Sequence, residues 1–287
     1  MAQNRPVTKA RGFIRQAGYR VVSRSNGQRV PVTHIYGRLE AGGTFLVRDD
    51  RQRPHFFIRA ADVERARALR VPEPRLADKC TFDGAPVCLL EVDTPPEVPG
   101  VRDRLHAAGI DTFEADVRLA VRYLVERGIK GGCEIEGEAV AGTGVTWVFD
   151  NPSLRPADVT VEPRVLSFDI ETLGKTDRLL AISMYAPGID EVLIVDGSGR
   201  AMPDYATHCA DEFSALDAFC ERIRLFDPDV LTGWNIIDFD LTVLQRIAML
   251  KQVKPVAEPV LDTLGLDFER VIGDSRQIDL YCMLGKV

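Results

Sequence analysis

The sequence has 287 residues, of which 45% are hydrophobic and 28% charged, and its formal net charge is −7. This composition is typical of a globular protein with a real core and excludes a disordered or fibrous chain. No apolar run approaches the roughly 20 residues that span a bilayer, and residues 1–6 lack the apolar segment of a signal peptide. We therefore expect a cytoplasmic protein that does not bind membranes.

The cysteines are scattered, and no two of them form a C-x-x-C pair. This spacing argues against a disulfide framework and against a zinc site, and it favours reduced thiols. The six positions are Cys80, Cys88, Cys133, Cys209, Cys220 and Cys282.

Charge is distributed unevenly along the chain. Residues 1–70 contain 15 Lys and Arg against 5 Asp and Glu, whereas the remainder contains 21 basic and 38 acidic residues. Such asymmetry is typical of a basic surface that binds a polyanion together with an acidic part that binds cations. A solvated basic face without a partner explains the first part equally well.

The first half of the chain is predicted to be a β-rich domain over residues 1–157, followed by a second domain over residues 158–287. Asn26-Gly27 is a strong hairpin signal, and residues 86–115 have the pattern of a small β-α-β unit. Prolines make residues 151–163 a connector. The predicted strands are 12–23, 29–38, 44–48, 55–58, 86–92, 110–113, 133–140 and 144–149, and the predicted helices are 60–69, 101–108 and 118–127.

The second half is predicted to contain three consecutive antiparallel strands, a crossover helix, another strand and a final helix. This order matches a ribonuclease-H-like α/β arrangement, so the fold class of the whole chain is α/β (α+β). The predicted strands are 164–172, 179–185, 191–195 and 229–233, the helices are 211–226 and 240–250, and a loop covers 235–239.

The strand over residues 164–172 separates apolar from acidic side chains. Because side chains alternate across a strand, Leu166, Phe168 and Ile170 share one face, while Asp169 and Glu171 share the other. Two ionised carboxylates at this spacing repel by about 3 kcal/mol at an effective dielectric near 20. A hard divalent cation removes that repulsion. A half-exposed strand with an acidic outer face is the alternative interpretation.

A second group of polar residues follows about 70 positions later. Asp240 is predicted at the start of a helix, where a carboxylate also caps free amides, and Asn235 lies in a turn where asparagine is common. Each position is ordinary by itself. The combination of an acidic strand, a meander, a helix and then W-N-x-x-x-F-D is typical of a proofreading nuclease.

These stretches resemble the family B DNA polymerases, and among them most closely the bacterial DNA polymerase II branch. Residues 168–172, F-D-I-E-T, resemble the first exonuclease motif of the family, and Asn235 with Phe239-Asp240 resembles the second. Residues 112–129 are similar to the segment before the exonuclease domain. Within that segment, we interpret four residues as structural contacts between the two domains: Glu114, Asp116, Arg118 and Tyr123.

The resemblance implies a 3′→5′ exonuclease that removes mispaired nucleotides by two-metal hydrolysis. Asp169, Glu171 and Asp240 would hold two Mg²⁺ or Mn²⁺ ions. Thr172, Leu173 and Asn235 would contact the single-stranded DNA end. Phe239 is also placed beside the DNA, although packing under the metal site is the favoured role. The implied partners are a DNA 3′ end, the palm, fingers and thumb of a polymerase, and a sliding clamp, in a bacterial, nucleoid-associated protein.

The sequence also departs from the family pattern. The third exonuclease motif, Y-x-x-x-D, has no match in residues 241–287, and the polymerisation motifs are absent. We therefore expect an exonuclease domain that is incomplete on its C-terminal side. Two alternatives follow: a catalytically deficient module that binds single-stranded DNA or docks on the polymerase, and an unrelated ribonuclease-H-like domain.

Overall fold

The computed structural model describes residues 9–174, 178–198 and 200–263, with side chains described as far as Gln252. The chain divides into two compact units, Met1–Val161 and Glu162–Val287. None of the described helices is long and apolar enough to cross a membrane. The five cysteines among the described residues are free thiols.

The first unit contains a seven-stranded sheet with the order β11-β8-β1-β2-β3-β10-β9. All its pairs are antiparallel except β3 with β10. Phe45, Phe149 and Ile35 form its core with Tyr123. Its strands are β1 (Lys9–Ser23), β2 (Arg29–Leu39), β3 (Thr44–Asp49), β8 (Gly132–Glu136), β9 (Ala139–Ala141), β10 (Trp147–Asp150) and β11 (Ser153–Pro156).

A second sheet of the first unit has the order β5-β6-β4-β7. The predicted β-α-β unit is present as β6, α2 and β7, with β4 inserted between the two parallel strands and antiparallel to both. The elements are β4 (His55–Arg59), β5 (Arg75–Cys80), β6 (Pro86–Glu91), β7 (Thr112–Phe113), α1 (Val63–Arg67), α2 (Val98–Ala107) and α3 (Leu119–Glu126), with 3-10 turns at Ala60–Asp62 and Pro95–Glu97.

The second unit is built on a five-stranded sheet with the order β15-β14-β13-β12-β16. The predicted meander and crossover are confirmed: β12, β13 and β14 are antiparallel, and β16 pairs parallel to β12. Both helices pack on one face of this sheet, over a core around Phe168 and Phe219. The elements are β12 (Val165–Thr172), β13 (Leu179–Ala186), β14 (Ile189–Val195), β15 (Ala206–Cys209), α4 (Glu212–Phe226), β16 (Val230–Thr232) and α5 (Asp240–Thr263).

Several predicted boundaries were wrong. The single strand predicted over 133–140 is two strands, because β8 pairs with β1 while β9 pairs with β10 on the far side of the sheet. Three short strands were not predicted, and β11 lies inside the predicted connector. Most side chains of β5 and β11 are exposed, so their hydrogen bonds to neighbouring strands, rather than an apolar pattern, define them. The third is β15.

Candidate active site

The central strand β12 separates core from carboxylates as the sequence predicts. Leu166, Phe168 and Ile170 are at most 5% exposed, whereas Asp169 and Glu171 are exposed. The pairing register with β13 shifts between Glu171 and Thr172, which changes the direction of the strand just after the two carboxylates.

Asp240 connects the start of α5 to β12. Its carboxylate is fully buried, and Oδ1 accepts a hydrogen bond of 3.0 Å from the main-chain amide of Ile170. Strand β16 pairs with β12 only as far as Ser167, so the Ile170 amide lies beyond that ladder. The Asp240 side chain therefore replaces a strand carbonyl at this edge. This position places its carboxylate beside the main chain between Asp169 and Glu171.

The second oxygen of Asp240 has no partner among the described residues. Oδ2 is buried and accepts no hydrogen bond. Burial raises the pKa of Asp240 above its usual value, the Ile170 amide opposes this shift, and the negative charge of Asp169 adds to it. A buried carboxylate oxygen without a donor is costly unless it is protonated or meets a cation. The charge of Asp169 thus lies close enough to act on the Asp240 carboxylate.

The residues present fit a hard cation through this pair, because all the donors are carboxylate oxygens and one of them is buried and unsatisfied. The fit is incomplete in one respect. Among the described residues, no three His, Cys, Asp or Glu side chains lie close enough together to hold an ion. Glu171, which the sequence assigns to the same ions, therefore does not complete a three-carboxylate cluster in this conformation.

The loop between β16 and α5 contains the other predicted site residues. Asn235 has a φ of 55°, in the left-handed region, and its carbonyl accepts the amide of Phe239 at 3.1 Å. Phe239 is 39% exposed, so it does not pack into the core as favoured from the sequence. At the end of β12, Thr172 is half-buried and Leu173 is 50% exposed.

Sequence reasoning assigned no separate role to two residues of this loop, Gly233 and Trp234. A Cβ on Gly233 would lie 2.2 Å from the carbonyl oxygen of Phe168, so only glycine lets the loop lie against β12 there. The adjacent Trp234 is 90% exposed. The Gly-Trp pair before Asn235 was the available signal, but nothing local distinguishes a close backbone approach from an ordinary turn.

The N-terminal excess of positive charge is largely neutralised. Over its whole length the first unit has 24 Lys and Arg against 21 Asp and Glu. At least eight basic side chains between residues 9 and 70 form ion pairs with carboxylates, some of them more than 100 positions away. These are Lys9, Arg11, Arg24, Arg48, Arg51, Arg59, Arg65 and Arg67. The structure therefore favours a salt-bridged surface over a free basic one.

Residues 112–129 have a structural role within the first unit. The Tyr123 hydroxyl donates to Oδ2 of the buried Asp49 at 2.8 Å, and Arg122 bonds Glu114 at 2.7 Å. Burial, together with the bonded Asp49 carboxylate, raises the pKa of Tyr123. These described bonds join residues of one unit. A role for Glu114 and Tyr123 between the two domains stays a prediction.

Residues 110–281, more than half of the chain, match the sequence model of the DNA polymerase family B exonuclease domain. The chain belongs to the family B DNA polymerases. DNA polymerase II of Escherichia coli K12 is 30% identical over 171 residues, which is 58% of this chain and 21% of that protein. A DNA polymerase of Thermococcus sp. 9oN-7 is 27% identical over 278 residues, 88% of this chain and 32% of that one.

The fold is shared with solved polymerases. The family B DNA polymerase of Pyrobaculum calidifontis superposes with a TM-score of 0.57 over 90% of this chain and 33% of that chain, at 22% identity. The chain thus spans between about a fifth and a third of the length of these relatives. The third motif was sought in residues 241–287, and of these the residues from 264 onward lie outside the described part of the chain.

Proposed function

We propose that the second unit is a 3′→5′ exonuclease that shortens single-stranded DNA ends, the proofreading activity of a DNA polymerase in replication or repair. The observation that carries this proposal is the Asp240 carboxylate, buried beside Asp169 with one oxygen bonded to β12 and the other unsatisfied. Exonuclease domains of this family are generally metal-dependent. Family membership and the paired aspartates support the same chemistry.

In this proposal Asp169, Asp240 and the exposed Glu171 would hold the divalent cations. Two bound Mg²⁺ or Mn²⁺ ions would activate a water for attack on the terminal phosphodiester and stabilise the leaving 3′ oxygen. The chain itself provides fixed carboxylates, of which Asp240 is immobilised by the Ile170 amide. Thr172, Leu173, Asn235 and Phe239 hold the single strand.

The test is digestion of a 5′-labelled single-stranded oligonucleotide by the purified chain with Mg²⁺ or Mn²⁺. We expect products that shorten from the 3′ end, no cleavage in EDTA, and loss of cleavage in Asp169→Asn. Asp190→Asn, an exposed carboxylate at the start of β14, is the matched control and retains activity. Cleavage that persists unchanged in Asp169→Asn, or is absent with both ions, contradicts the proposal.

Metal binding has an independent readout in stability. An ion that binds only the folded protein stabilises it by about 1.4 kcal/mol at ten times its Kd. We expect millimolar Mg²⁺ or Mn²⁺ to raise the melting temperature of the wild-type protein and of Asp190→Asn, but not that of Asp169→Asn. An equal response in all three proteins shows that the ions act elsewhere.

The second candidate is a catalytically deficient module that binds single-stranded DNA or docks on the rest of the polymerase. The exposed apolar residues of the β16–α5 loop favour it, as does the absence of a three-carboxylate cluster among the described residues. In that case DNA affinity falls with salt and survives Asp169→Asn without any cleavage. The palm, fingers and thumb, and a sliding clamp, are the proposed protein partners under either function.

A further inference from the structure

The β16–α5 loop is attached to β12 on both sides of Asp169. At its start, Gly233 lies against the carbonyl of Phe168, where an added Cβ would be 2.2 Å from the oxygen. At its end, Asp240 accepts the amide of Ile170 at 3.0 Å. The two attachment points on β12 are thus the residues directly before and after Asp169. The main chain at the start of this loop therefore lies against the strand next to Asp169.

This loop is ordered and yet exposes large apolar side chains. Main-chain hydrogen bonds from Phe239 to Asn235 and from Leu241 to Ile236 fix its path. Ile236 packs against the core of the second unit. In contrast, Trp234 is 90% and Ile237 is 76% exposed. Leaving a tryptophan in water while a neighbour packs inward costs hydrophobic stabilisation, which is typical of a binding surface.

We propose that Trp234 is a positioning residue whose indole stacks on a base of the single strand bound at Asp169, within the exonuclease function proposed above. Stacking of a base on an aromatic ring contributes about 1–3 kcal/mol and does not depend on base identity, which suits an enzyme that must accept any terminal sequence. It requires an unstacked base, so a frayed end binds better than a paired one. The close approach of Gly233 to β12 fixes the main chain from which the indole projects.

The sequence offers a direct spectroscopic test, because it contains only two tryptophans. Trp147 is half-buried against the core of the first unit. Trp147→Phe leaves Trp234 as the only indole, and Trp234→Phe leaves Trp147 as the matched control. Both proteins are titrated with oligothymidylate in EDTA, where no cleavage occurs.

We expect oligothymidylate to quench the fluorescence of Trp147→Phe and to leave that of Trp234→Phe unchanged. An abasic deoxyribose phosphate oligomer of equal length should not quench, because it has no base to stack. A blunt duplex should quench less than the single strand. Absence of quenching by oligothymidylate, or equal quenching by the abasic oligomer, overturns the proposal. In the first case the exposed loop binds another surface, and in the second it binds only the phosphate backbone.

Kinetics separate positioning from a structural role. With single-stranded DNA, Trp234→Ala should raise KM about 5- to 150-fold, the range that 1–3 kcal/mol of lost stacking implies, with a smaller change in kcat. Trp234→Phe should restore most of the affinity, and Trp147→Phe should behave as wild type. An unchanged KM in Trp234→Ala overturns the proposal.

The two proposals fail differently. Quenching of Trp234 without metal-dependent cleavage in the wild-type protein removes the exonuclease proposal and supports the stacking role. Cleavage without quenching removes the stacking role and supports the exonuclease proposal.

Discussion

Asp240 accepts a hydrogen bond from the amide of Ile170, the residue that separates Asp169 and Glu171 on β12. One bond thereby connects the two motifs, which are 70 residues apart in the sequence. It fixes a carboxylate that is fully buried, lies near the charge of Asp169, and keeps one unsatisfied oxygen.

Asp240 is expected to lower stability in the absence of metal. Asp240→Asn keeps an acceptor for the Ile170 amide but removes the buried charge, so we expect the free energy of unfolding to increase by about 1 kcal/mol, while nuclease activity is lost. Thermal melting in EDTA at neutral pH measures this change. Asp240→Ala also removes the acceptor and should be less stable than Asp240→Asn. If Asp240→Asn is less stable than the wild-type protein in EDTA, the buried charge of Asp240 does not destabilise the metal-free fold.

Gly233 is expected to tolerate no side chain. In Gly233→Ala the new Cβ meets a main-chain oxygen, which cannot rotate away, so the loop must move off β12. We expect a loss of about 1–3 kcal/mol of stability and a large loss of nuclease activity. Gly197→Ala is the control, because nothing lies within 4 Å of its added Cβ. Melting temperature and cleavage rate check both variants, and equal behaviour contradicts the close approach.

Asn235 allows backbone and side-chain roles to be separated. Glycine adopts its φ of 55° without strain, whereas alanine in this conformation destabilises the fold by about 1–2 kcal/mol. We expect Asn235→Gly to melt like the wild type and Asn235→Ala to melt lower. If the amide side chain binds DNA, both variants lose affinity for oligothymidylate equally. Full affinity in Asn235→Gly would show that the residue serves only the turn.

His34 is expected to make the first unit sensitive to acid. Burial and the nearby Arg20 and Arg48 lower its pKa from 6.5 to about 4, and Asp150 opposes this only in part. Between these values the unfolded chain binds a proton that the folded chain does not, so stability is lost as the pH falls from 6.5 to about 4. Because the ring is only half-buried and solvent screens its charge, we expect a loss of about 1–2 kcal/mol at the end of this window.

Denaturant titrations of the Trp234→Phe protein between pH 7 and pH 4.5 measure this loss, since Trp147 then reports on the first unit. In the same protein, His34→Gln should make the free energy of unfolding depend less on pH. His106→Gln, which replaces an exposed histidine instead, should not change this pH dependence. An identical pH profile in the presence and absence of His34 contradicts the assignment. The lowered pKa values of Asp49 and Glu191 add a loss of stability at the acid end of this range, as the pH falls below their usual values of 3.8 and 4.5.

The order of strands and helices in the second unit could be predicted from the spacing of apolar residues along the chain. This spacing indicates which face of a strand or helix is buried. This is why Leu166, Phe168 and Ile170 were placed correctly in the core. The motif spacing likewise indicated the family that residues 110–281 match. Periodicity does not report edge strands such as β15, because these depend on hydrogen bonds to a neighbour rather than on a buried face of their own.

The sequence by itself determined the core face of β12, the carboxylates opposite it, and the family, since these are set by neighbouring residues and short spacings. Only the tertiary structure decided which carboxylates interact. The burial of Asp240, the contact of Gly233 with Phe168 and the exposure of Trp234 all depend on where a distant loop meets the strand. The same holds for the ion pair of Arg48 with Asp150, 102 positions apart, which neutralises charge that the sequence alone left free.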